Sequence, residues 1–222
     1  MTMATLISSL RILTHDGPTD HVIFSEKLGT RPDGFTVNGT NKVFRLGGED
    51  GHSLPLVASS VFISTGATQR SQSGFTQTDN VNGFITFATA PPAGIDVFAD
   101  YNYYWFSDAQ YTEFLNEAAQ TVQAGVADAT VIITGLTQSL LQYALASFFK
   151  SRASQYAERY STSGGEVGQS VEAVAKIFLS LSKEASARGK DYRDEYYTRQ
   201  GARNAPAQAI GNYRIDPITP PR

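Results

Sequence analysis

The sequence predicts an α+β protein in which an antiparallel β-rich domain is attached to a bundle of three to four α-helices. Two observations lead to this prediction. Before Ser107 the chain is rich in glycine, threonine, serine and asparagine, and its apolar and polar side chains alternate as in half-buried strands. From Ser107 to about residue 200, apolar residues recur with the spacing of an amphipathic helix. The change of period at Ser107 therefore predicts a domain boundary.

The clearest strand pattern lies between Gly83 and Phe106. Asn82-Gly83 is a strong hairpin signal, because both residue types tolerate positive φ, and residues 90–94 (Ala-Pro-Pro-Ala-Gly) form a second turn. We expect a three-stranded meander over about residues 74–105, within a meander-like or sandwich-like domain. Shorter strands are predicted at residues 21–24, 42–46 and 57–64.

Helices are predicted at both ends of this β-rich region. Leu6, Leu10 and Leu13 have helical spacing near the N-terminus, and Ser107 with Gln110 forms the pattern of a capping box. The spacing predicts a second long helix over residues 129–160 and a third from about residue 170. Beyond residue 185 the third helix gains charges and tyrosines, so we expect its end to leave the domain and contact another molecule.

Four regions follow from these patterns. Residues 1–14 form an N-terminal helix of the bundle, residues 15–106 a β-rich insertion, residues 107–200 the helical bundle, and residues 201–222 an extended C-terminal arm. The arm shows neither period and carries four prolines, but it contains the spaced apolar residues Ile210, Tyr213, Ile215 and Ile218. Such spaced anchors are typical of an extended segment that docks onto another chain.

The composition is that of a folded, soluble protein. The net charge is −3 and the chain has no cysteine, so we expect neither a large basic surface nor a thiolate metal site. No apolar run reaches the roughly 18 residues of a membrane span, and the N-terminus lacks the charge pattern of a secretory signal. We therefore expect no cofactor, no membrane partner, and synthesis in the cytosol of a host cell.

No catalytic motif can be assigned. His15 beside Asp16 has the residue types of a base and its orienting partner, but such a pair at a helix end is more often a cap or a surface pair. Glu113 and Glu117 are four residues apart, without the matching Glu/His motif that a metal site would need. The glycine-rich residues 47–51 lack the lysine of a phosphate loop. We therefore expect no enzymatic activity.

The aromatic residues allow a second interpretation. Tyr101, Tyr103 and Trp105 have the residue types of a sugar-stacking platform, as in a carbohydrate-binding module. Alternation places them on the same face as Ile95 and Val97, which favours packing in the core. An exposed Trp105 would favour the glycan-binding interpretation.

The order of these segments resembles the head-to-tail connector, or adaptor, proteins of tailed bacteriophages. The resemblance covers most of the chain. After the N-terminal helix and His15-Asp16, the segments that carry it are Lys27-Leu28-Gly29, Asp33-Gly34, residues 42–46, residues 83–87, residues 90–94, Ala99-Asp100-Tyr101, Phe106-Ser107-Asp108, a long alanine-rich helix, a Ser/Gly break, and a third helix that ends in Asp191-Tyr192 and Tyr196-Tyr197.

The resemblance implies a structural protein of the virion neck, at the junction between head and tail. Identical copies would form a ring, expected to be a dodecamer, between the portal protein and the next neck or tail-completion protein, and DNA would pass through the lumen only as cargo. The arm would dock on the portal through Arg203, Ile210, Tyr213, Arg214, Ile215 and Pro217. The alternative is a glycan-binding or decoration module of a phage tail or neck, oligomerised through its helices.

Overall fold

The structure is a computed structural model that describes residues 1–29, 35–47, 55–65, 71–162 and 166–204. Helices and antiparallel strands both contribute, which confirms the predicted α+β fold class. In chain order the elements are α1 (Met3–Thr14), β1 (Val22–Lys27), β2 (Val43–Arg45), β3 (Phe62–Thr65), β4 (Phe75–Asp79), β5 (Phe84–Phe87), β6 (Val97–Asn102), α2 (Asp108–Val122), two 3-10 turns (Ala129–Val131 and Thr134–Leu136), α3 (Thr137–Thr162) and α4 (Glu166–Asn204).

The chain divides into two compact units, Met1–Asn116 and Glu117–Arg222. The first unit contains α1, all six strands and the first part of α2. The second contains the end of α2, the two 3-10 turns, α3 and α4.

The six strands form two three-stranded antiparallel sheets. The first sheet has the order β1-β6-β3 and the second has the order β2-β5-β4. β4 and β5 form the hairpin predicted at Asn82-Gly83, but β6 pairs with β1 and β3, so the predicted three-stranded meander is wrong. Residues 88–96, which separate β5 from β6, exceed the length of a tight hairpin loop and lead the chain to the other sheet.

A single apolar core contains residues of both sheets. The second sheet contributes Phe44 and Ile85, and the first contributes Ile63, Val97 and Tyr101. The alternation predicted for β6 is confirmed at Val97 and Tyr101, which are 0% and 1% exposed. The sandwich-like arrangement thus follows from inward-facing residues at every second position.

α1 ends in a way that turns the chain back on itself. His15 takes a left-handed conformation with φ of 51°, and the N–H of Asp16 donates to the carbonyl of Arg11 at 3.0 Å. This is the hydrogen bond of a Schellman motif, with a histidine at the position where glycine is usual. Leu6 and Leu10 are buried as predicted, whereas Leu13 is exposed because Thr14 continues the buried face instead.

The capping box at the start of α2 is confirmed. The N–H of Ser107 donates to Oε1 of Gln110 at 2.9 Å, and the N–H of Gln110 donates to Oγ of Ser107 at 3.3 Å. Tyr111, Leu115 and Ala118 then lie on the buried side of the helix, as their spacing predicts.

The second predicted helix begins later than expected. Residues 129–136 form two 3-10 turns, and α3 begins at Thr137. Asp128 caps the first turn by accepting from the N–H of Thr130 at 2.8 Å. Ile133, which lies within the predicted helix, is 44% exposed. Capping of the first 3-10 turn by Asp128 therefore competes with formation of the predicted helix at residue 129.

α3 and α4 form an antiparallel pair whose contacts extend along much of its length. Oγ of Ser182 donates to the carbonyl of Ala146 at 2.9 Å, and Oγ of Ser139 donates to the carbonyl of Gly189 at 2.7 Å. Near the end of α4, a guanidinium nitrogen of Arg193 donates to the carbonyl of Thr121 at 3.2 Å.

Packing of α4 within the second unit therefore continues to Tyr196. Gly135 lies so close to Tyr196 that an added Cβ would overlap the tyrosine ring. The expectation that this helix leaves its domain beyond residue 185 is therefore wrong as far as Tyr196, whereas Tyr197, Arg199 and Gly201 are exposed. The residues of α4 that make these contacts are Gly189, Arg193 and Tyr196. None of them is aliphatic, so the periodicity of aliphatic residues does not predict this packing.

α4 extends to Asn204, so the backbone of Arg203 is helical. The other residues predicted for the docking arm lie outside the described residues: Ile210, Tyr213, Arg214, Ile215 and Pro217. Among the helices of the described ranges, none is long and apolar enough to cross a membrane.

Candidate functional site

The carboxylate of Asp16 is a buried polar group of the first unit with several hydrogen-bond donors around it. Its side chain is 0% exposed and lies between α1, the end of β6 and the start of α2. Oδ1 accepts from the N–H of Trp105 at 2.7 Å, and Oδ2 accepts from the hydroxyl of Tyr111 at 2.8 Å. The N–H of Phe106 points to Oδ2 at a longer 3.4 Å.

The charge of Asp16 is compensated by Arg11, one turn before the end of α1. A guanidinium nitrogen of Arg11 lies 3.1 Å from Oδ2 of Asp16. The same side chain donates to the carbonyl of Phe106 at 3.2 Å and to Oδ1 of Asp108 at 2.8 Å. Its guanidinium also stacks on the ring of Tyr104, 3.7 Å from the centroid. Arg11 therefore links α1 to the segment in which β6 gives way to α2.

Tyr111 completes the shell around Asp16 from α2. Its hydroxyl lies 3.0 Å from Oγ1 of Thr14 as well as bonding to Asp16. Burial raises the pKa of Tyr111 well above its usual range, and the negative charge of Asp16 raises it further. Tyr111 therefore stays protonated and acts as a donor to the carboxylate.

The histidine that approaches Asp16 is His21, not its sequence neighbour His15. Nε2 of His21 lies 3.3 Å from Oδ1 of Asp16, without the geometry of a hydrogen bond. The imidazole stacks on Trp105 with a centroid distance of 4.3 Å and on Tyr103 at 5.3 Å. His15 is exposed, because its left-handed conformation directs the following residue, and not its own side chain, into the core.

This arrangement fits a structural centre better than a catalytic one. A general base needs an accessible lone pair, whereas Asp16 is fully buried and receives donors at both oxygens. Within the described ranges, no group of three or more histidine, aspartate or glutamate side chains could hold a metal ion. What the carboxylate does is fix the relative positions of α1, β6 and α2 inside the first unit.

A cleft of about 710 Å³ adjoins this centre. One wall is α1, which contributes Ile7 and Ile12, and the other side contains Tyr104 and Asp108. Asp20 lies at the rim, where its carboxylate accepts from the N–H of Gly17 at 2.6 Å. The cleft thus combines an apolar wall with exposed carboxylates.

The other candidate residues from the sequence lie apart from this centre. Glu113 and Glu117 are exposed on α2, and Glu117 accepts from the hydroxyl of Ser147 at 3.0 Å. The N–H of Gly47 points to Oε2 of Glu26 at 3.4 Å, and the rest of the segment 47–51 lies outside the described residues. Among the described residues, Glu113 and Glu117 belong to no group of side chains that could hold a metal ion.

Sequence reasoning identified Asp16 but missed its true partners. Arg11 and His21 are five residues to either side of it, and Tyr111 is far away along the chain. The end of the predicted helix near residues 14–15 is the signal that could have indicated Arg11. A residue that follows a Schellman turn is directed back towards the helix. No local signal pointed to Tyr111.

Comparison of the chain with models of protein families, with curated proteins and with solved structures finds no match.

Proposed function

We propose that the protein is a structural component of the neck of a tailed bacteriophage, an adaptor that forms a ring under the portal and joins the capsid to the tail. The observation that supports this most is the order of the segments that resemble phage adaptors. A short N-terminal helix, a β-rich region, a capped helix and a long helical pair follow one another in that order.

Exposed apolar side chains provide a second argument, because a ring needs two different surfaces on each copy. On α4, Ile177 is 59% exposed and Leu179 is 45% exposed. In the first unit, Phe24 on β1 is 70% exposed. Single exposed apolar residues are also normal on monomers, so we propose these residues as contact positions because the adaptor ring requires two surfaces.

The glycan-binding alternative gains no support from the aromatic residues. Tyr101 is 1% exposed, and the ring of Trp105 stacks on His21 at 4.3 Å. A sugar-stacking platform requires open aromatic faces in a row. Asp16, the most buried carboxylate described, has its oxygens occupied by protein donors, so we also propose no catalytic role for it.

The assembly can be tested by electron microscopy and sedimentation of the purified protein, alone and mixed with the portal protein of the same virus. We expect rings with a central channel when portal is present. Ile177→Asp should prevent ring formation, because it places a charge in the proposed contact, whereas Val81→Asp is the matched control at a position 57% exposed in the first unit. Both variants should melt at the same temperature as the parent protein.

A chain that ends at Asn204 tests the predicted arm. It keeps the whole of α4, so we expect unchanged thermal stability together with loss of attachment to the portal. If no ring forms with portal and the protein is missing from the virion neck, the adaptor proposal is refuted. If the shortened chain attaches normally, the docking role of Ile210, Tyr213 and Ile215 is refuted while the ring remains.

A further inference from the structure

We propose that the cleft beside α1 binds an extended segment of a partner protein in which a lysine or arginine is next to an aliphatic residue. The cleft lies entirely within the first unit and is independent of the ring contacts on α4. The proposal therefore stands or falls separately from the adaptor function.

The apolar half of this specificity comes from α1. Ile12 points into solvent at the cleft wall with 75% of its surface exposed, the largest exposed fraction among the large hydrophobic residues described. Ala4 and Ser8 precede it at intervals of four residues and also line the cleft, so small side chains keep the groove open along the helix. An aliphatic side chain laid along this face would cover Ile12 and remove its apolar surface from water.

The charged half comes from an excess of carboxylates. Asp20 and Asp108 line the cleft together with one guanidinium, that of Arg11, and Arg11 is also paired with Asp16, which is buried behind the cleft. Because Arg11 is already held by Asp16 and by Asp108 and stacks on Tyr104, its charge is compensated inside the protein. Asp108, 76% exposed, and Asp20, at the rim, face the solvent and favour a cation.

The volume and shape fit a short stretch of polypeptide. At about 710 Å³ the cleft falls in the range of sites that bind small ligands or a few side chains. Its wall is a helix surface and it presents no free strand edge, so recognition would depend on side chains and not on strand addition. The order aliphatic–basic–aliphatic is the simplest sequence that satisfies both the apolar wall and the acidic rim.

The test uses the full chain, labelled with ¹⁵N, and two probe peptides that differ in one residue: acetyl-Ala-Leu-Arg-Leu-Ala-amide and acetyl-Ala-Leu-Glu-Leu-Ala-amide. The arginine peptide should shift the amide signals of Ser8, Ile12 and Tyr104 and bind about fivefold more tightly than the glutamate peptide. Raising the salt from about 0.05 M to about 1 M should reduce this preference, because the rim charges are exposed.

Two variants locate the site. Ile12→Ser should weaken the arginine peptide about fivefold, since it removes most of the exposed apolar surface. Ile177→Ser, at an isoleucine on α4 that is 59% exposed, is the matched control and should leave binding unchanged. Both positions are exposed, so the thermal unfolding of each variant should match that of the parent.

Three results would overturn the proposal. Equal affinity for the arginine and glutamate peptides would refute the proposed preference for a basic residue. Amide shifts confined to residues outside the cleft would refute the cleft as the binding site. A peptide of residues 212–217 of this chain that binds at least tenfold more tightly than the probe would assign the cleft to a second copy, not to a partner protein.

Discussion

Replacing Asp16 by alanine tests whether the buried carboxylate holds the first unit together. The substitution removes the acceptor of the Trp105 N–H at 2.7 Å and of the Tyr111 hydroxyl at 2.8 Å, and it removes the anion 3.1 Å from Arg11. Loss of a buried acceptor costs about 1–3 kcal/mol for each donor affected. Breaking a buried ion pair costs about 3–5 kcal/mol.

These contributions are not additive here, because two of the donors have second partners. Tyr111 retains Oγ1 of Thr14 at 3.0 Å, and Arg11 retains Asp108 at 2.8 Å. We therefore expect Asp16→Ala to lower the free energy of unfolding by about 3–5 kcal/mol, near one full donor and part of the ion pair. Asp16→Asn keeps one acceptor oxygen and should lower it by about 2 kcal/mol.

Urea unfolding followed by tryptophan fluorescence is the appropriate assay, because Trp105 is the single tryptophan and lies directly at this centre. Asp108→Asn is the control: its carboxylate also pairs with Arg11 but is 76% exposed, so the cost should stay below about 1 kcal/mol. A loss of less than about 1 kcal/mol for Asp16→Ala, with an unchanged denaturant slope, would refute the structural role of the carboxylate.

Two further predictions concern helix packing and pH. Gly189→Ala would bring a Cβ to 2.9 Å from Cδ2 of Tyr143 and should destabilise by about 1–3 kcal/mol, whereas Gly201→Ala on the same helix meets nothing within 4 Å and should be neutral or stabilise by up to about 1 kcal/mol. Circular dichroism melts of the two variants measure this difference, and equal melting temperatures would contradict the tight packing at Gly189. Because burial and Asp16 raise the pKa of Tyr111 in the folded state, its contribution is fully present below about pH 10 and is lost as the pH rises above that value, where the unfolded chain ionises first. Urea unfolding at about pH 9 and pH 11 should therefore show a steeper loss in the parent than in Tyr111→Phe, and parallel losses would contradict the assignment.

Local patterns predicted the elements well where the decisive contacts are close along the chain. Ser107 and Gln110 determine the start of α2 through two hydrogen bonds that span three residues. The alternation around Val97 and Tyr101 predicted which face of β6 is buried. In both cases a single period or cap was enough, because no distant residue had to be known.

Strand pairing could not be predicted in the same way. β5 pairs with β2, and Ile85 lies opposite Phe44, far back along the chain. The hairpin rule pairs each strand with the next strand along the chain. It therefore predicts that β6 pairs with β5. The structure instead pairs β6 with β1 and β3, where Ala99 lies opposite both Glu26 and Ile63. Only the shared core between the sheets explains this choice.

The partners of Asp16 could not be predicted from the sequence either. Adjacent residues suggested His15 as the partner, but a φ of 51° at His15 reverses the chain and brings Asp16 beneath Arg11. The remaining donors come from Trp105 and Tyr111, about ninety positions away. Replacing the whole Asp16–Arg11 pair by well-packed apolar residues would cost little net stability, because desolvation opposes the ion pair, whereas removing Asp16 alone leaves its buried donors without that acceptor.

What the carboxylate supplies is a defined geometry at the place where the chain changes from strand to helix. An apolar cluster would tolerate small rotations of α1 against the end of β6, whereas Asp16 accepts donors only in particular directions. The same geometry holds the guanidinium of Arg11 against Tyr104 and so shapes the floor of the cleft beside Ile12. Because this geometry depends on Asp16, Asp16→Asn should weaken binding of the arginine peptide at temperatures where the variant is still fully folded. Its effect should exceed that of a substitution in the sandwich core that is at least as destabilising, such as Ile85→Ala, since only the centre at Asp16 sets the position of the cleft wall.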